Sequence, residues 1–160
     1  MKSLILGISG LALVALIALV LTVARAEVAA ARIPRIRRIA TLALLVQSIH
    51  FIEESLNGFH LRFPEALGLQ PWPKSYFVAF NLAWLAIWVV AILSLSSFKR
   101  AALFPLWFLA IAAAVNGIAH PLLALADSAY FPGLWTAPFL GILGVALFGS
   151  LLSATEGRDG

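Results

Sequence analysis

The stretch TLALLVQSIHFIEESLNGFH, residues 41–60, decides how this chain is read. Nine residues, Thr41 to Ile49, pass without a charge, and then a histidine and two adjacent glutamates arrive. A helix that crosses a bilayer needs about 20 mostly apolar residues, and this segment reads as one from Ile39 to Phe59. Inside lipid the backbone has no water to bond, so such a run must be helical. The polar groups inside it therefore call for an explanation.

The rest of the chain supports lipid as the solvent. Of the 160 residues, 62% are hydrophobic and only 11% charged, where a soluble domain is roughly half apolar and a quarter charged. Besides 39–59, four further segments qualify as spans, at about 4–24, 76–98, 101–125 and 135–154. The fold class expected is all-α: a polytopic transmembrane bundle of five spans in a single integral-membrane domain, residues 1–160. No strand pattern, soluble domain or internal repeat is visible. Ala24-Arg25-Ala26 has the form of a signal-peptidase site, but Leu4–Val23 is longer than the usual 7–15-residue apolar core and positive charge follows it. The first segment is read as a retained span.

Charge sets the orientation. Arg25, Arg32, Arg35, Arg37, Arg38, Lys99, Arg100 and Arg158 fall on one side of the expected spans, and Lys2, Arg62 and Lys74 on the other. The N-terminus is expected outside and the C-terminus in the cytoplasm, a multi-pass protein of the cell membrane. Trp72, Tyr76, Tyr130 and Trp135 then mark the outer interface, and the segment HLRFPEALGLQPWPKS is long enough to form a short cap there. The net charge of +4 does not argue for nucleic acid, because the basic residues lie between apolar runs rather than along a groove. The absence of cysteine excludes disulfides, zinc–thiolate sites and iron–sulfur ligation.

At about 100° per residue, Gln47, His50, Glu53, Glu54 and Asn57 share an arc of about 120° on one helix. The fourth span carries Asn116 and His120, four apart and on one face. With ~1.5 Å rise per residue, His50 and Asn116 lie ~14 Å below the outer boundary. Glu54, His120 and Asn81 lie ~8 Å below it. A carboxylate at membrane depth costs about 2.5–3.5 kcal/mol, so Glu53 and Glu54 must face inward and find a partner, a proton or a cation. Pro121 is expected to kink the fourth span beside His120 and open a space that Trp84, Trp88, Trp107 and Phe108 could line.

HFIEE at 50–54, NGIAH at 116–120 and FPG at 131–133 occur in that order. In this the chain resembles the HXXEE-motif family of small integral membrane proteins, over nearly everything after the first span. The resemblance implies that His50, Glu53, Glu54, Asn116 and His120 form one site, and it implies no reaction.

Two imidazoles and a carboxylate suit one divalent metal, Zn, Fe or Mn. His50, Glu54 and His120 are the expected ligands. Glu53 is the candidate general base or second carboxylate ligand, and Asn116 the residue that orients a ligand or polarises a carbonyl. A metal-dependent enzyme, a hydrolase or oxidoreductase of a lipid-like small molecule, follows from that set. Two alternatives stay open: metal-free acid–base isomerisation or cyclisation of a lipid, and a proton-coupled transporter or structural membrane subunit. Membrane lipids are the expected surroundings. A homo-oligomer is possible: Ala137-x-x-x-Gly141 offers a small-residue face for helix contact, with packing inside one copy as its default reading. His60, Glu65, Asp127, Glu156 and Asp159 are expected in solvated loops or tails.

Overall fold

A computed structural model describes residues 2–25, 28–97 and 99–155. Among them there is no strand. The helices are α1 (Lys2–Ala24), α2 (Ile33–Leu56), α3 (Phe59–Ala66), α4 (Lys74–Ser94), α5 (Lys99–Asp127) and α6 (Ala137–Ala154), with a 3₁₀ turn at Ala30–Arg32 leading into α2. Four stretches are long and apolar enough to cross a membrane: Ala30–Leu56, Lys74–Ser94, Lys99–Asp127 and Ala137–Ala154. The first expected span, 4–24, corresponds to α1, of which Ser9–Ala24 is the described apolar stretch.

The second span sits earlier in the chain than hydropathy placed it. Pro34 lies in the first turn of α2, where its fixed φ and missing N–H suit a helix start. The helix ends at Leu56 because Gly58 takes φ +77°, a left-handed conformation. Asn57 therefore caps the helix instead of continuing its polar stripe: it is exposed, and its Nδ2 donates to the Glu53 carbonyl at 2.7 Å. The cap expected over the outer end is α3.

α5 is the centre of the bundle, packing against α6, α1 and α4. Leu103, Leu106, Trp107, Leu109, Ala110 and Ala113 on it are fully buried. Its contact with α6 depends on missing side chains. A Cβ on Gly117 would lie 2.5 Å from the Gly141 Cα, and one on Gly144 2.5 Å from the Ala114 nitrogen. Small residues let helix backbones approach this closely. The Ala137-x-x-x-Gly141 face thus packs inside one copy: Ala137 is fully buried and Gly141 meets Gly117. α5 also runs through Pro121 as one helix. A proline removes one backbone bond from a long apolar helix without ending it.

The arginine-rich segments meet at one end of the bundle. Arg37 donates to Ser96 Oγ at 3.1 Å, Lys99 to the Val28 carbonyl at 3.4 Å and Arg25 to the Thr155 carbonyl at 3.4 Å. α3 and the turn 128–136 occupy the opposite end, where Arg62 pairs with the exposed Asp127 at 2.7 Å. His60 departs from its expected place in solvent. It is buried on α3, stacked against Phe77 with ring centroids 6.2 Å apart. Burial and the charge of Lys74 both lower its pKa.

Candidate metal centre

His50 and Glu54 lie one turn apart on α2, so the helix itself puts them on one face. His120 comes to the same place from α5. The three are 0%, 5% and 2% exposed, respectively. Each Nε2 lies 3.5 Å from the same oxygen, Glu54 Oε1. The imidazoles meet edge to face with centroids 4.7 Å apart, and three ligand-type atoms lie within 4.8 Å of one another.

Which nitrogens carry protons follows from the other side of each ring. His120 Nδ1 is 2.7 Å from the Pro132 carbonyl, which only accepts, so Nδ1 is the donor. His50 Nδ1 is 2.7 Å from Thr136 Oγ1. That hydroxyl has one proton, and it goes to Glu53 Oε2 over 2.6 Å, a short bond of the charge-assisted kind. The hydroxyl must then accept from His50 Nδ1. A ring with its one proton on Nδ1 leaves Nε2 as a lone pair, and both Nε2 atoms face Glu54. Two such lone pairs and a carboxylate converging in a buried space suit a cation or a proton among them. His50 Nε2 has no hydrogen-bond partner within the protein.

Glu53 faces another part of the molecule. It lies about 100° around the helix from Glu54 and faces the turn 128–136. Its Oε1 accepts from Tyr130 Oη at 2.8 Å and the Trp135 nitrogen at 3.1 Å. Its Oε2 accepts from the nitrogen and hydroxyl of Thr136 at 3.0 and 2.6 Å. With four donors on two oxygens, Glu53 clamps the turn and does not join the cluster. Burial, and then the bond to Glu53, raise the Tyr130 pKa to about 12, so its phenol remains a donor.

The clamped turn positions both histidines. Pro132 and Gly133 are buried in it. Gly133 has φ +92°, and a Cβ there would lie 2.6 Å from His120 Cε1 and 2.7 Å from His50 Cε1. Only glycine takes that conformation cheaply and leaves room for both rings. Thr136 and the Pro132 carbonyl escaped the sequence analysis altogether. The FPG turn was visible, but only through the resemblance.

Glu54 and His120 also border a cavity of about 270 Å³. Asn116, half-buried one turn before His120, lines it, as do Gln47 and Asn81. Asn81 Nδ2 is turned back to the Phe77 carbonyl at 2.9 Å. Of the aromatics expected here, Trp84, Trp88 and Phe108 are in the wall, with Trp84 and Phe108 stacked at 4.2 Å. Trp107 faces away, fully buried against Phe148 with ring centroids 5.2 Å apart.

Fold and site together define an all-helical protein with membrane-length apolar helices and a buried two-histidine, one-carboxylate cluster that could hold a metal ion. The family described as "protein of unknown function with HXXEE motif" matches residues 41–147, and the chain belongs to it. No curated protein and no solved structure matches the chain.

Proposed function

We propose that the chain is a membrane-embedded metalloenzyme that binds one divalent cation, Zn, Fe or Mn, through His50 Nε2, His120 Nε2 and Glu54, and acts on a lipid-like molecule. The convergence of those three groups, with both Nδ1 protons committed elsewhere, carries this reading. The two spacings from Glu54 fit as well. Tetrahedral ligands at about 2.0–2.1 Å from zinc stand ~3.4 Å from one another, close to the 3.5 Å from Glu54 to each imidazole. A proton held directly between nitrogen and oxygen would draw them to about 2.7–3.2 Å. Two histidines and one carboxylate leave coordination open to substrate, as in hydrolytic zinc sites and non-haem iron oxygenases.

Bound there, the metal would supply Lewis-acid or redox chemistry. The chain's own residues supply the rest. Thr136 and the Pro132 carbonyl fix the tautomers of His50 and His120. Glu53 holds Thr136 and the turn, a positioning role in place of general base. Asn116 orients the polar end of the substrate. We place the protein in the cell membrane with five spans, α1 included, the basic end cytoplasmic and the metal centre in the outer half of the bilayer.

The test is elemental analysis of the detergent-purified protein. About one transition-metal ion per chain is expected, lost in both His50→Ala and His120→Ala. A wild-type protein that stays metal-free after incubation with Zn(II), Fe(II) and Mn(II) refutes the reading and leaves a proton as the charge among these groups.

A further inference from the structure

The cavity beside the cluster has a chemical bias that its position alone does not set. Among the described residues no lysine or arginine lines it. Its one formally charged lining group is Glu54, and its neutral polar groups include the amides of Gln47, Asn81 and Asn116. Amides donate and accept, which suits a hydroxyl or a carbonyl. At the same end of the bundle Arg62 is already paired with Asp127 at 2.7 Å, and Lys74, whose charge acts on His60, is not among the lining residues.

The charge balance points the same way. A divalent cation at His50, His120 and Glu54 is met by two carboxylates: Glu54 itself, and Glu53, one hydroxyl removed from His50. The centre is then neutral before any substrate arrives. An anionic headgroup would bring a net negative charge into a low-dielectric space with no cation to meet it. With no metal bound, the two carboxylates repel it more.

The route in is lateral. α1 and α4 each pack along α5, and among the described residues they do not pack along one another. Gly10, Leu11 and Val14 of α1 form one wall of the cavity, while Tyr76, Phe80 and Trp84 of α4 form the facing one. The floor between them is α5, where Val115 is 47% exposed. In a bilayer such a cleft opens to acyl chains. At about 270 Å³ the cavity is smaller than the roughly 300–1,000 Å³ of sites that enclose a whole ligand. It takes the head of a lipid and leaves the tail outside.

We propose that this cavity admits, from within the bilayer between α1 and α4, the head of an uncharged lipid bearing a hydroxyl or carbonyl, and rejects lipids headed by carboxylate or phosphate. That the occupant is a substrate rests on the metalloenzyme reading; that it binds does not.

The experiment uses the full chain in detergent with chelator present, at pH 9, and follows tryptophan fluorescence. Bromine quenches on contact, and Trp84 and Trp88 are in the cavity wall. The probes are a monoglyceride and a free fatty acid carrying the same dibrominated chain. The monoglyceride should quench saturably, with the fatty acid at least about tenfold weaker, since a desolvated charge costs more than the ~1.4 kcal/mol that tenfold represents. A Cβ at Gly10 meets nothing within 4 Å, so Gly10→Leu should fold and fill the cavity, weakening the monoglyceride about tenfold. Asn81→Lys supplies the missing cation and should strengthen the fatty acid selectively, a gain that misfolding cannot produce. Equal quenching by both probes in the wild type, or quenching indifferent to both variants, overturns the proposal. If selectivity holds in a protein that never binds metal, the metalloenzyme reading fails and the neutral-lipid cavity stands. If metal binds and selectivity is absent, the reverse is true.

Discussion

Replacing Thr136 by valine is the most informative single change at the cluster. It exchanges a hydroxyl for a methyl of nearly the same size, so packing is kept while the short bonds to His50 and Glu53 and the longer one to the Gly133 carbonyl are lost. Glu53 tolerates this, because three donors remain: Tyr130 Oη and the nitrogens of Trp135 and Thr136. His50 does not. Its ring is fully buried, and an Nδ1–H without an acceptor costs about 1–3 kcal/mol. The ring can relieve that by moving its proton to Nε2, the atom that must stay bare to bind metal. Either way the loss falls on the metal-bound state. Removing such an outer partner typically weakens metal binding 10–100-fold, or ~1.4–2.8 kcal/mol, which agrees with the hydrogen-bond figure. Competition against a chromophoric chelator, with Co(II) as the reporting metal, measures this in purified protein. Thr136→Ser keeps the hydroxyl and should bind within about threefold of wild type. Valine binding as tightly as threonine would refute the tautomer argument. Serine as weak as valine would mean that packing, not the hydroxyl, is what matters.

Four further outcomes concern residues outside the ligands themselves. Gly133→Ala forces a positive-φ alanine between the two imidazoles and should cost about 2–5 kcal/mol, combining the left-handed penalty with overpacking; denaturation in mixed micelles measures it. Gly144→Ala should destabilise strongly, because its Cβ would meet the backbone of Ala114 and Ala110 at 2.5 and 2.8 Å. Gly149→Ala, with nothing within 4 Å, should be neutral or stabilising by up to about 1 kcal/mol. The raised Tyr130 pKa favours the folded state while the phenol is protonated. Its contribution is therefore full below pH 10 and is lost as pH rises through about 12. Tyr130→Phe should remove that part of the alkaline loss of stability, read from unfolding midpoints across pH 9–12.

Hydropathy sufficed for the membrane-length helices, because lipid leaves an apolar run no alternative to helix. Helical spacing and the rarity of charge were enough to single out His50, Glu54 and His120. What escaped was whatever the turn 128–136 contributes through its backbone. A carbonyl such as that of Pro132 has no signature in composition, and a lone threonine resembles any other. The partners of Glu53 were not legible either, since all of them lie on the turn 128–136. Neighbours on a helix point about 100° apart, and that angle is enough to aim Glu53 at a different element. The same angle separates Trp107 from Phe108, so only one of them reaches the cavity. Asn57 was lost to a glycine whose φ could not be read in advance, and His60 to the assumption that a connecting segment lies in solvent.

The spacing of the motif now has a physical reason. Ligands on one face of a helix sit three or four residues apart, and His50 and Glu54 are four apart. The histidine must also be held in one tautomer, and in lipid the group that holds it must itself be anchored. Glu53 is three residues from His50, near enough to serve it through one intervening hydroxyl, and it is turned outward enough to collect Tyr130, Trp135 and Thr136 from the facing turn. Two adjacent carboxylates would repel on a common target. Here one faces the cluster and the other the scaffold that positions it. Their combined charge would match one divalent cation held at the cluster, with both carboxylates drawn from a single helical turn. On this argument Glu54→Gln should abolish metal binding. Glu53→Gln should instead weaken it in step with Thr136→Val, and the double change Glu53→Gln/Thr136→Val should cost little more than the worse of the two. Additive losses would show that Glu53 acts on the metal by a route other than Thr136.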